Sequence, residues 1–171
     1  MKRALPAGVT PEAVGPGEES VWDYPRPPRV EVVPERVQVL VGGRPLADSA
    51  RALRVLETAG APVYYLPPAD VDRTRLRRAS TRSTFCEWKG TADYFDYDDG
   101  ARQTRRIAWA YHEPFAGYEA IRDHLAFYAG KVDEAWVGEE RATPQPGLYY
   151  GGWVTSRVRG PMKGAPGSEG W

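Results

Sequence analysis

Cys86 and Lys89 lie three residues apart, and their chemistry makes residues 84–90 the predicted functional segment. A thiolate beside an ammonium group has a lowered pKa and becomes a nucleophile. Gly90 follows directly and lets the backbone approach a ligand closely. Catalysis would also need a base, for which His124 is the candidate, although it is distant in the sequence. The alternative is a buried Cys86 that packs as a small apolar side chain beside a solvated Lys89.

Tyrosine and tryptophan side chains could form a pocket around this segment. Alternate residues of a strand point to one face, so Trp109 and Tyr111 share a face of their predicted strand. Convergence of these two with Trp88 and Tyr65 would give a stacking platform for a planar ligand or a cage for a cation. The alternative is plain core packing. The 10 Tyr residues outnumber the 4 Phe residues, which favours a pocket because buried hydroxyl groups need partners.

Charged side chains near these aromatics are candidate anchors. Glu57 lies in an otherwise apolar stretch, where an inward-facing carboxylate must be paired or have a raised pKa, although a surface position is the alternative. Arg82 is the member of the arginine-rich stretch 70–83 that lies closest to Cys86. Such arginines can contact the phosphates of a nucleotide or of RNA, which makes nucleic acid an alternative partner. A solvated loop is the other interpretation, since Asp70 lies in the same stretch.

Composition argues against several classes of function. The formal net charge of zero gives no electrostatic basis for binding nucleic acid or an anionic membrane surface. Cys86 is the single cysteine, so neither an internal disulfide nor a thiolate zinc site can form. No apolar run approaches the roughly 18 residues of a membrane span, and no apolar segment follows Met1, Lys2 and Arg3 as in a signal peptide. We therefore expect a cytoplasmic protein without membrane contact, metal or cofactor.

The elements that position these residues are predicted to be mostly strands. A length of 171 residues suits one compact domain, and the 16 Pro and 18 Gly residues suit short strands joined by tight turns. The strongest helical spacing covers residues 117–125, and Asp98-Asp99-Gly100 predicts a hairpin turn. We expect a mostly β domain of antiparallel strands with one or two short helices. The predicted strands cover residues 29–33, 36–41, 44–47, 49–58, 62–66, 91–97, 105–111, 126–128 and 134–137.

Composition also divides the chain into three parts. Residues 1–20 are rich in Pro, Gly and Glu and form a predicted N-terminal arm, ordered only when it is docked. Residues 21–141 form the predicted β-rich core domain. Residues 142–171 hold many glycines and aromatic residues, and are too aromatic for a disordered linker. We expect this C-terminal extension to pack on the core or on a partner, with homodimer formation as one outcome.

Several segments together resemble domain-of-unknown-function family 427, also catalogued as a nucleotidyltransferase-like family. They include Val21-Trp-Asp-Tyr-Pro-Arg-Pro-Pro28, Pro62-Val-Tyr-Tyr-Leu-Pro-Pro68, Cys86-Glu-Trp-Lys-Gly90 and Ala108-Trp-Ala-Tyr111. The likeness covers about residues 21–141. It implies a compact β-rich domain, either related to the β-tent folds or a small barrel-like one.

Two chemical implications of this resemblance meet little support in the sequence. The β-tent folds usually carry paired Cys-x-x-Cys zinc knuckles, which are absent here and so remove the metal from the inference. The family name implies nucleotidyl transfer, which commonly needs a Gly-Ser pair followed by spaced carboxylates that hold magnesium. Asp96, Asp98 and Asp99 cluster, but at the expected hairpin turn.

The leading functional prediction is a β-domain that binds a small polar ligand containing a phosphate or a base. A transferase-type enzyme is the first alternative, with Cys86 as nucleophile and Lys89 or His124 in support. A protein-interaction or nucleic-acid-binding module is the second, with the C-terminal extension as the binding element. The walls and anchors of the predicted pocket are Glu57, Tyr65, Arg82, Trp88, Lys89, Trp109 and Tyr111.

Overall fold

The structure, a computed structural model, describes residues 4–171. Within them the regular elements are 16 short strands and four 3-10 turns of three residues each, which confirms the mostly β prediction. The turns are Val21–Asp23, Pro68–Asp70, Arg73–Arg75 and Glu119–Ile121. The strands are β1 (Glu19–Ser20), β2 (Arg29–Val32), β3 (Val37–Val41), β4 (Arg44–Ser49), β5 (Leu53–Leu56), β6 (Val63–Tyr65), β7 (Leu76–Arg78), β8 (Thr84–Cys86), β9 (Gly90–Asp98), β10 (Gln103–Tyr111), β11 (Ala126–Phe127), β12 (Glu134–Val137), β13 (Glu140–Arg141), β14 (Thr143–Pro144), β15 (Trp153–Val154) and β16 (Val158–Arg159).

Three antiparallel sheets build the domain. The central sheet has the order β11-β10-β9-β7, and β8 also pairs with β9. A second sheet has the order β13-β12-β3-β4, and a third the order β2-β5-β6. In the central sheet, strands β9 and β10 form the longest hairpin, and Gly100 (φ 88°) lies in the turn that the sequence predicts. Among residues 4–171 no sheet closes into a barrel, so the small barrel-like form is not found.

Side-chain alternation on β10 separates two apolar cores. Ala108 and Ala110 point into the larger core, which the second sheet covers. Trp109 and Tyr111 point the other way, toward the third sheet. Register pairs Tyr94 of β9 with Trp109, so both rings lie on the same face. We call this second core the aromatic cluster, and its buried members are Val55, Tyr65, Ala92, Tyr94, Trp109, Tyr111, Tyr118, Ile121 and Ala126.

The helix expected over residues 117–125 is wrong. Only the single turn Glu119–Ile121 forms there, and Asp123 then takes a positive φ of 58°, which a continuing helix does not allow. The apolar spacing that suggested a helix arises because Tyr118 and Ile121 are buried separately in the aromatic cluster. Leu125 instead joins the larger core and forms a β-bridge to Leu66.

Two strands of the central sheet lie where no strand is predicted. β7 forms inside the arginine-rich stretch 70–83, for which a solvated loop is one interpretation, and it pairs with β9. β8 forms within the predicted functional segment and pairs with β9 from Thr84 to Cys86. The apolar spacing of residues 49–58 fits either a helix or a strand, and the segment contains the strand β5, Leu53–Leu56. No helix within residues 4–171 has the length and apolarity to cross a membrane.

The arm and the C-terminal extension contact each other and the core. β1 pairs in parallel with β16, and Glu18 forms an ion pair with Arg159. Trp153 of the extension is fully buried in the larger core, and its Nε1 donates to the Phe127 carbonyl oxygen over 2.9 Å. The extension therefore packs on the core of its own chain. The first three residues of the predicted arm lie outside the described part.

Candidate ligand-binding cavity

A cavity of about 280 Å³ opens beside the aromatic cluster. Strands β5 and β6 line one side, β8, β9 and β10 line the other, and the C-terminal extension covers an edge. Ligand sites generally occupy about 300–1,000 Å³, so this cavity suits a compact ligand. Six residues that the sequence singled out contribute to its lining, namely Glu57, Tyr65, Cys86, Lys89, Trp109 and Tyr111.

Aromatic rings make up much of the wall. The Tyr65 ring contacts the Trp109 ring edge-on at a centroid distance of 6.4 Å and lies 6.5 Å from the Tyr111 ring. On the other side, Trp109 lies 4.6 Å from the Tyr128 ring. Tyr149 of the extension also lines the cavity. These tilted and edge-to-face contacts hold the rings of the wall in fixed orientations relative to each other.

Lys89 carries a positive charge into this aromatic site. Its side chain lines the cavity although the residue is only 8% exposed, and its Nζ lies 5.8 Å from the centroid of the Tyr111 ring. Within residues 4–171 no carboxylate lies within ion-pair distance of it. Gly90 beside it has φ 104°, and a Cβ there would approach the Glu113 carbonyl oxygen to 3.3 Å. Glycine is therefore required at the turn that directs Lys89 inward.

Two tyrosine hydroxyl groups of the lining have raised pKa values. Burial raises the pKa of Tyr65 above its ordinary range of about 10. Burial raises the pKa of Tyr111 as well, and the nearby Tyr65 and Cys86 raise it further. Both side chains consequently stay protonated. Cys86 itself is half-buried against the aromatic cluster and lines the same cavity.

Gln145 fixes the edge of the cavity where the extension crosses it. The residue is 3% exposed, and its Oε1 accepts from the Ala61 backbone N–H over 2.9 Å. Its Nε2 donates to the Lys163 carbonyl oxygen over 2.9 Å. Gly152 must lack a side chain, because a Cβ would lie 2.6 Å from the Ala61 carbonyl oxygen. Neighbouring Gly151 lies directly on Trp109, where a Cβ would overlap the ring.

Sequence reasoning missed several lining residues. Tyr94 is one of the aromatic residues on the predicted strands but not one of the predicted walls, although alternation on β9 gives it the same face as Trp109. Gln145 carries no local signal, since its partners are distant in sequence. The missed lining residues include Tyr94, Tyr128, Gln145, Tyr149, Tyr150 and Lys163.

Three of the predicted site residues do not line the cavity. Arg82 is exposed on the segment before β8, as expected if this part of the arginine-rich stretch is a solvated loop. Trp88 is half-buried and packs against the aromatic cluster, while its neighbour Lys89 reaches the cavity. His124 follows Asp123, whose positive φ turns the chain, and its Nδ1 lies 3.0 Å from the Arg122 carbonyl oxygen. The cavity therefore contains no histidine to act as a base for Cys86.

The aspartates of the β9–β10 hairpin serve the turn. Asp96 accepts from the Arg106 backbone N–H over 2.7 Å, and Asp98 accepts from that of Gly100 over 2.9 Å. Asp99 accepts from the backbone N–H of Arg102 over 2.8 Å. This bond is the main reason that the pKa of Asp99 is lowered to about 2. Among the described residues no cluster of three or more His, Cys, Asp or Glu side chains is arranged to hold a metal ion.

A larger cavity of about 690 Å³ lies at the chain ends. Trp22 and Trp171 line it, with ring centroids 5.3 Å apart, and so does Ala4. Its lining includes none of the predicted site residues. The smaller cavity is therefore the better candidate site.

Comparison with family models gives one match, described as Domain of unknown function (DUF427), over residues 29–138. That range covers more than half of the chain and includes Glu57, Cys86, Lys89 and Trp109, whereas Gln145 and the extension lie beyond it. No curated protein matches the chain. The chain belongs to the DUF427 family, as the sequence motifs indicated.

Proposed function

We propose that this protein binds a small anionic molecule in the cavity, with Lys89 as the counter-ion. The observation that carries the proposal is the burial of the Lys89 side chain at a cavity wall, without a carboxylate partner in residues 4–171. A buried ammonium group is costly unless an opposite charge or hydrogen-bond acceptors reach it. A carboxylate or phosphate group on a ligand would supply both.

The rest of the lining suits such a ligand. The protonated hydroxyl groups of Tyr65 and Tyr111 are donors for anionic oxygen atoms, and the volume of about 280 Å³ restricts the ligand to a compact molecule. The ligand is therefore a carboxylate or a phosphate ester of small size.

Thermal shift against a panel of small carboxylates and phosphate esters tests the proposal. A ligand that binds only the folded state, at about 100 times its Kd, stabilises it by about 2.7 kcal/mol, or roughly 5–10 °C in Tm for a chain of this size. We expect at least one anion to give a shift of this order in the wild type and none in Lys89→Met. A panel without any shift, or equal shifts in both proteins, would contradict the proposal.

A second candidate function is supported by Cys86. Its thiol lines the same cavity as Lys89. A transferase-type reaction would use this sulfur as the nucleophile against an electrophile held by Lys89. Because Cys86 is the single cysteine, alkylation of the native protein with iodoacetamide adds one adduct to the intact mass. Resistance of the native thiol to alkylation would exclude this candidate.

A further inference from the structure

Three aromatic walls of the cavity already carry a cation on a ring face. The guanidinium carbon of Arg106 lies 3.8 Å from the Tyr94 ring centroid. Lys131 Nζ lies 5.0 Å from the centroid of Tyr128, and Lys89 Nζ lies near Tyr111 as described. Cations bind the electron-rich faces of aromatic rings. A cationic ligand between these walls would meet rings that already hold a positive charge, together with the charge of Lys89 itself.

The contact between Arg106 and Tyr94 is built into the backbone. The β9–β10 ladder changes register between Thr104 and Ala108, and Arg106 within this bulge has φ 50°. A positive φ is uncommon for a residue other than glycine, and bulges redirect side chains. The hydrogen bond from the Arg106 N–H to the Asp96 carboxylate holds this conformation. The bulge therefore fixes the positive charge behind the cavity wall.

Glu57 adds a second requirement. Glu57 is half-buried and lines the cavity, and within residues 4–171 it forms no ion pair, with Lys89 or with any other cation. A carboxylate is an acceptor only, so a ligand group that displaces water from it must supply an N–H or O–H donor. A ligand that satisfies both residues must carry an acid group for Lys89 and a separate donor for Glu57.

Taken with the aromatic lining, these observations specify a chemical class for the ligand. This inference rests on the proposed anion site. We infer that the ligand is an amino-substituted aromatic or heteroaromatic acid, with its ring against Trp109, its acid group at Lys89 and its N–H group at Glu57. The electron-rich ring suits walls that are backed by cations. A quaternary ammonium ligand is excluded by the same charges.

Binding of small probes to the full chain tests this class. The probes are benzoate, the three isomeric aminobenzoates, cyclohexanecarboxylate, inorganic phosphate and tetramethylammonium. We expect at least one aminobenzoate to bind about tenfold more tightly than benzoate, as one hydrogen bond to a charged group provides. Benzoate should in turn bind more tightly than cyclohexanecarboxylate. Glu57→Gln should reduce the preference for the aminobenzoate over benzoate.

The outcomes separate this inference from the proposed function. Equal binding of cyclohexanecarboxylate and benzoate, or binding of tetramethylammonium, overturns the inferred class while the anion site stands. An aminobenzoate preference that persists in Glu57→Gln overturns the role of Glu57. Failure of every anion, inorganic phosphate included, overturns the proposed function itself. The ranking of the probes on the wild-type protein needs no variant, so it remains decisive even if Glu57→Gln fails to fold.

Discussion

Lys89 Nζ lies 5.8 Å from the centroid of the Tyr111 ring, and both side chains line one cavity. Tyr111 reaches it through alternation on β10, and Lys89 reaches it through the tight turn that Gly90 makes at the start of β9. The ring partly offsets the desolvation of the ammonium group, since a cation–π contact contributes about 0.5–2 kcal/mol. Full compensation for the desolvation of the Lys89 ammonium group requires an anion, and this requirement is the basis of the proposed function.

Gly151 holds the C-terminal extension against Trp109. We expect Gly151→Ala to destabilise the fold by about 1–3 kcal/mol, because the added Cβ would overlap the indole ring and force a backbone shift. The free energy of unfolding in urea measures this change. Gly130→Ala is the matched control, since its Cβ would meet Pro144 at an ordinary 3.7 Å. Equal stability of the two variants would show that the extension does not close on Trp109 as described.

Gln145 connects the extension to the turn before β6. We expect Gln145→Met to lower the free energy of unfolding by about 1–3 kcal/mol, because the Ala61 N–H and the Lys163 carbonyl oxygen lose their partners. Chemical denaturation measures it, with the exposed Gln103→Met as control. An unchanged stability would mean that water replaces Gln145 at this edge.

The ion pair between Glu18 and Arg159 joins the arm to the extension. The Arg159 guanidinium lowers the pKa of Glu18 from its ordinary 4.5 to about 2. Because the folded pKa lies below the unfolded value, the contribution is fully present above pH 4.5 and is lost as pH falls through about 2. We expect the Tm difference between wild type and Glu18→Gln to be constant above pH 4.5 and to shrink below it.

The exposed Glu139, which has no partner among the described residues, supplies the control for this pH series. Glu139→Gln should leave Tm nearly unchanged over the same range. A Tm difference for Glu18→Gln that stays constant down to pH 2 would contradict the lowered pKa and the docking of the arm through this pair.

Local patterns in the sequence predict the part of the site that regular strands hold. Trp109 and Tyr111 share a face because alternation on β10 is regular to its end. The helix over 117–125 could not be rejected locally, since the positive φ of Asp123 depends on how the segment packs between the sheets. Arg82 and His124 were assigned by proximity and residue type, which do not determine the direction of a side chain in an irregular segment. Gln145 depends on contacts 84 residues away in the chain.

The central claim is that Lys89 is the counter-ion of a bound anion. The most direct measurement is a calorimetric titration of the best anion from the panel into the wild type, Lys89→Met and Arg82→Met. Arg82 supplies the control because it is exposed and does not line the cavity. We expect Lys89→Met to weaken binding at least about tenfold, as loss of a charge-assisted contact does, and Arg82→Met to change it little. Wild-type affinity in a folded Lys89→Met protein would contradict the account.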